Sequence, residues 1–97
     1  MKVVINADYG GFDLSERAKV YIASKAPEYV EGFNFKTHRI PRHHPALVEA
    51  VEKLGSDANS PLSNLKVIEV PDGIEYGIGE YDGIEYVYEV GHIWGWY

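Results

Sequence analysis

Cysteine is absent from this chain, so neither a disulfide framework nor thiolate chemistry is open to it, and folding rests on packing, hydrogen bonds and charge. Long apolar runs are missing too. The N-terminal run stops at Asn6, too short for a signal peptide, and nothing later approaches the roughly 20 apolar residues of a spanning helix. A soluble, cytoplasmic protein is expected. The common catalytic signatures are also lacking: there is no nucleophile elbow, zinc-protease helix, P-loop lysine or dinucleotide fingerprint. Glu75 and Glu85 could in principle act as paired carboxylates, but outward glutamates on neighbouring strands are ordinarily just solvated. No enzymatic activity and no cofactor are expected.

Charge of each sign is missing from one part of the chain. No Lys or Arg follows Lys66, whereas Glu69, Asp72, Glu75, Glu80, Asp82, Glu85 and Glu89 fill the C-terminal third. No acidic residue occurs from Gly32 to Val48, where Lys36, His38, Arg39, Arg42, His43 and His44 fall. The net charge of −6 opposes a phosphate backbone at long range, which argues against a general nucleic-acid binder.

What is present suits one domain over residues 1–97, with 45% hydrophobic residues to supply a modest core. Lys2 to Asn6 is short and β-branched, as a buried strand would be, and stops at a turn-rich stretch. Leu14, Ala18, Tyr21, Ile22 and Ala26 follow helical spacing, with Asp13 and Glu16 available as a capping box and Ser15 as a rival cap. Pro27 ends that helix near Ala26. Glu28 to His44 reads as mostly irregular, although Phe33 and Phe35 suggest a short strand. A second helix runs from Pro45, suited to a first turn, to a glycine cap at Gly55. Three strands then follow, Leu65 to Val70, Ile74 to Glu80 and Ile84 to Val90, separated by Pro71-Asp72-Gly73 and Tyr81-Asp82-Gly83. The expected fold is α+β in the order β-α-α-β-β-β. The three C-terminal strands form an antiparallel meander joined by the N-terminal strand, and both helices pack on one face. Ile74, Tyr76 and Ile78, together with Ile84, Tyr86, Tyr88 and Val90, are expected to face the helices, and Glu75, Glu85 and Glu89 to face away.

Val4-Ile5-Asn6 with Gly10-Gly11-Phe12 and Leu14-Ser15, the run His44 to Gly55, the run Leu65 to Gly73 and Glu80 to Tyr86 together resemble a widespread family of small uncharacterised proteins from tailed bacteriophages. The resemblance covers most of the chain and is weakest over Ala26 to Arg42. It implies a viral gene product acting in the cytoplasm of the infected bacterial host, and it implies no catalytic residues.

The leading candidate site is the proline-stiffened cluster His38, Arg39, Arg42, His43 and His44, whose guanidinium groups and imidazoles could converge on phosphate or carboxylate oxygens. The helix beginning at Pro45 would add free N–H groups there. Tyr9, Tyr81 and Trp94 are candidate platforms for stacking a nucleobase. Gly10 and Gly11 outline a phosphate-cradling turn but are read as turn residues. His38, His43, His44 and His92 invite a metal reading, which no ligand spacing supports, so no metal is expected. Trp94 and Trp96 near the C-terminus point to a homo-oligomer. Two functions follow. One is a non-enzymatic, homo-oligomeric binder that sequesters a small phosphorylated ligand, such as a cyclic nucleotide or ADP-ribose derivative of host immune signalling. The other is an interaction protein that docks on a host or phage protein through its acidic sheet or aromatic tail.

Overall fold

The structure, a computed structural model, describes residues 1–32 and 34–90. Its elements are β1 (Lys2–Asn6), α1 (Glu16–Lys25), β2 (Val30–Glu31), β3 (Asn34–Phe35), α2 (Pro45–Leu54), β4 (Leu65–Glu69), β5 (Tyr76–Tyr81) and β6 (Ile84–Glu89). The class is α+β, in the expected order apart from the short strands β2 and β3, which lie between the two helices. No helix among the described residues is long and apolar enough to cross a membrane.

Ser15 wins the competition to cap α1, because its hydroxyl accepts the Ala18 N–H at 3.1 Å while Asp13 turns back to the N–H of Leu14. Ala18 and Ile22 lie on the buried stripe of α1, and Ala26, ahead of Pro27, ends the helix. His44 caps α2 through its ring nitrogen, Pro45 fills the first turn, and Gly55 closes it at φ 57°. Leu47, Ala50 and Val51 of α2 meet Ile22 and Leu14 over the face of β1 and β4 that carries Val4 and Leu65. Full burial of a leucine or isoleucine such as Leu47 or Ile22 stabilises the fold by roughly 1.5–3 kcal/mol.

Glu49 ties the two helices together. Its carboxylate accepts the Tyr21 hydroxyl of α1, and the ammonium groups of Lys25 and Lys53 lie 3.2 Å away. These partners, the Tyr21 hydroxyl foremost, hold the Glu49 carboxyl down from its ordinary 4.5 to about 2. A carboxyl more acidic in the folded chain contributes stability above its unfolded pKa and loses that contribution as pH falls through the folded one. Between pH 5 and pH 2 the melting temperature of the wild type is therefore expected to fall more steeply than that of Glu49→Gln. Parallel melting curves would remove Glu49 as the acid-sensitive link.

The strand pairing departs from a meander. β1 pairs antiparallel with β4 from Lys2 opposite Glu69 to Asn6 opposite Leu65, β5 pairs with β6, and β2 with β3 form a two-residue hairpin. Among the described residues β4 and β5 are not neighbours. The β1–β4 ladder instead extends past the strand end, since Val70 N–H donates to the Met1 carbonyl and the terminal ammonium donates to Val70 O and Asp72. Phe35 does join a strand, β3, as its aromatic character suggested, while Phe33 lies outside the described residues.

The β5–β6 hairpin corrects the expectation about faces. Its two-residue turn, Asp82-Gly83, has positive φ at both positions and pairs Tyr81 with Ile84. Tyr76 then lies opposite Glu89, Ile78 opposite Val87 and Glu80 opposite Glu85, so these six residues share one face. Tyr86 and Tyr88 stand on the other face with Gly79 and Gly77, turned outward, and Glu85 is turned in towards β1.

Candidate functional site

The basic stretch was expected to converge, and the structure disperses it. Arg42 is drawn inward. Its backbone carbonyl accepts the Val4 N–H on the edge of β1 away from β4, and its guanidinium grips Glu85 with two hydrogen bonds of 2.6 and 2.8 Å. The side chains of Arg42 and Glu85 are only 18% and 8% exposed. The guanidinium also lies 3.6 Å over the Phe12 ring, whose electron-rich face favours a cation. Glu85 completes its set by accepting the Asn6 N–H.

Asn6 is the second half of this junction. Fully buried, it donates from its amide to the carbonyls of Asp8 and Gly83 and accepts the Asn64 N–H at 2.8 Å. The loop after β1, the residue ahead of β4 and the turn of the hairpin thus meet at Asn6, beside the Arg42–Glu85 pair, and the tip of the hairpin is pinned to the loop after β1.

The remaining candidate residues point elsewhere. Arg39 is largely exposed, its nearest acid being Glu31 at 3.8 Å. The His43 ring hydrogen-bonds the Tyr76 hydroxyl at 2.6 Å and stands edge-on to its ring. Partial burial pushes the Tyr76 hydroxyl above its ordinary pKa. His44 spends one nitrogen on the helix cap and packs edge-on against Tyr29. His38 is exposed and stands edge-on to Phe12. Tyr9 and Tyr81 are both exposed, and Trp94 lies outside the described residues, as do His92 and Trp96. Among the described residues no group of three or more His, Asp or Glu side chains is arranged to hold a metal ion.

Two of the candidates, His38 and Arg42, do line a common cleft of about 750 Å³. Its other charged walls are Asp13, Glu80, Asp82 and Glu85. Glu85 already neutralises Arg42, so the balance of the cleft is acidic. That is the reverse of what a phosphate needs.

The outward face of the hairpin is the feature that sequence reasoning placed inside. Tyr86 and Tyr88 lie directly across from Gly79 and Gly77, and their rings occupy the space a Cβ on either glycine would fill. They remain 41% and 42% exposed with ring centroids 6.3 Å apart, and Tyr81 at the hairpin tip is 77% exposed. Rings seated on glycine backbone are held in place before any partner arrives. Exposed carboxylates flank this face at both ends of the hairpin, Glu75 ahead of β5 and Asp82 in the turn, and no Lys or Arg lies among the described residues from 71 to 90. Comparison with known proteins found no matching protein family, no similar curated protein and no matching solved structure, so the surface is read from its own geometry.

Proposed function

We propose that this chain is a non-enzymatic interaction protein that docks on another protein through the outward face of its β5–β6 hairpin. The observation that carries the reading is the pair Tyr86 and Tyr88, seated on Gly79 and Gly77 and still exposed. Tyrosine supplies large contact area with few rotatable bonds, and rings already held flat lose little entropy on binding. Carboxylates around them favour a partner whose contact patch is basic. The resemblance of Gly10 to Ser15, Leu65 to Gly73 and Glu80 to Tyr86 to small tailed-phage proteins supports a viral gene product working in the host cytoplasm, where its target would be a host or phage protein. With Tyr81→Ser/Tyr88→Ser as bait, capture of the partner from infected-cell lysate is expected to fall at least tenfold relative to the wild type, at an unchanged fold by circular dichroism. Equal capture by both baits would exclude this face.

A second reading is a homo-oligomer that sequesters a small phosphorylated ligand. It is favoured by one observation, that His38 and Arg42 line one cleft beside Gly10 and Gly11. The Glu85 carboxylate on Arg42 weighs against it. Cyclic dinucleotides and ADP-ribose derivatives would raise the melting temperature under this reading, through linkage, and leave it unchanged under the first.

A further inference from the structure

A groove of about 380 Å³ lies on the side of β1 and β4 away from the helices, with Ile5, Ile68, Val70 and Ile74 on one wall and Glu85 through Glu89 on the other. Side chains of a strand alternate between faces, so five consecutive residues can border one groove only if the edge of the strand runs along it. That edge has no strand partner among the described residues, since β6 pairs with β5 alone. The direction of its backbone groups follows from the ladder. Val90 N–H donates to Glu75 O, which places Tyr88, Tyr86 and Ile84 in the class that bonds to β5. Glu85, Val87 and Glu89 therefore turn their N–H and C=O groups into the groove. No backbone hydrogen bond joins β6 to β1 or β4 among the described residues.

Among the described residues the groove thus offers an unpaired strand edge beside an apolar floor. Its charged lining residues are Glu69, Glu85 and Glu89, of which Glu85 is held by Arg42 and Glu69 lies 3.8 Å from the terminal ammonium, and none is a cation. We infer that the groove binds an extended segment of a partner protein by strand addition to β6, the segment carrying apolar side chains at alternate positions and Lys or Arg at its ends. Backbone hydrogen bonds to Glu85, Val87 and Glu89 would supply affinity. The alternate side chains would settle on Ile5 and Ile68, and the terminal cations would meet Glu69 and Glu89. This inference rests on the reading of the hairpin as the docking element and assigns its mode of recognition and the chemistry of its partner.

The test uses the full chain and a fluorescent peptide, Lys-Val-Thr-Val-Thr-Val-Lys, followed by anisotropy and by amide hydrogen exchange. Binding is expected, with added protection at the Val87 and Glu89 amides. N-methylation of alternate peptide amides should weaken it at least tenfold in one of the two registers, and exchange of the lysines for glutamate should weaken it further. Binding that N-methylation in either register leaves intact would overturn strand addition. Absence of binding would overturn it as well. If binding then appears on truncation after Val90, the chain's own C-terminal residues are the occupant, and if light scattering shows a dimer, a second copy is. Loss of partner capture in the tyrosine variant alongside a failed peptide experiment would leave the docking face standing and remove only the groove.

Discussion

Replacing Arg42 with methionine is expected to lower stability by about 3–5 kcal/mol, the range found when one partner of a buried ion pair is removed. The side chain of Glu85 is only 8% exposed, and among the described residues Arg42 alone supplies cationic hydrogen bonds to it. Methionine keeps an apolar stem against Phe12, so the loss isolates the charge rather than the packing. In the double variant Arg42→Met/Glu85→Gln the buried charge is gone, and the glutamine carbonyl can still accept the Asn6 N–H. The double variant is therefore expected to be more stable than Arg42→Met alone. Denaturant titration of the four proteins closes the cycle. If Arg42→Met costs under 1 kcal/mol, or the double variant is no better than the single one, the pair does not hold the hairpin to the body. The same experiment bears on function, because an arginine committed to Glu85 is not available to a phosphate.

The second large effect is expected at Gly83. Its φ of +91° disfavours any side chain, and a Cβ there would lie 2.6 Å from the Gly11 nitrogen, with the Gly10 backbone equally close. Gly73 is the internal control, with a φ of +81° and open space where its Cβ would go. Gly73→Ala should therefore show the backbone penalty alone, roughly 1–2 kcal/mol. Gly83→Ala adds overpacking against backbone that cannot swing aside, for a total of about 2–5 kcal/mol. The difference between them measures how tightly the turn of the hairpin is seated on the loop after β1. Equal losses would mean that the turn does not bear on that loop.

Much of the local structure was legible because it is set by near neighbours. Pro27 and Gly55 punctuate the helices, and Asp82-Gly83 makes the β5–β6 turn. The inward and outward faces of that hairpin were also open to reading. A two-residue turn pairs Tyr81 with Ile84, so even-numbered residues of β5 share a face with odd-numbered residues of β6. Treating both strands by their apolar residues alone put Tyr86 and Tyr88 inside and Glu85 outside. Hydrophobicity misled there because Gly77 and Gly79 leave shelves on which tyrosine can rest without full burial.

The candidate site was far less legible. His43 and His44 are adjacent in the chain, yet one turns to Tyr76 of β5 and the other to the N-terminus of α2. Arg42 reads as a free cation in a basic stretch, and its partner lies 43 residues further on. No local pattern announces such a pair, since an ion pair depends on where two distant segments cross. Asn6 gave a faint signal: a polar residue closing a β-branched strand, where an exposed end or a buried junction would look the same.

By itself the sequence determined the α+β class, the two helices with their stops, and the short hairpin turn, because each depends on side chains within about four positions of one another. Only the tertiary structure decided that β4 returns to β1, that Glu85 captures Arg42, and that two tyrosines face outward over glycine. Those outcomes turn on which distant backbone edges and charges meet in space, and a chain read in order carries no distance between them.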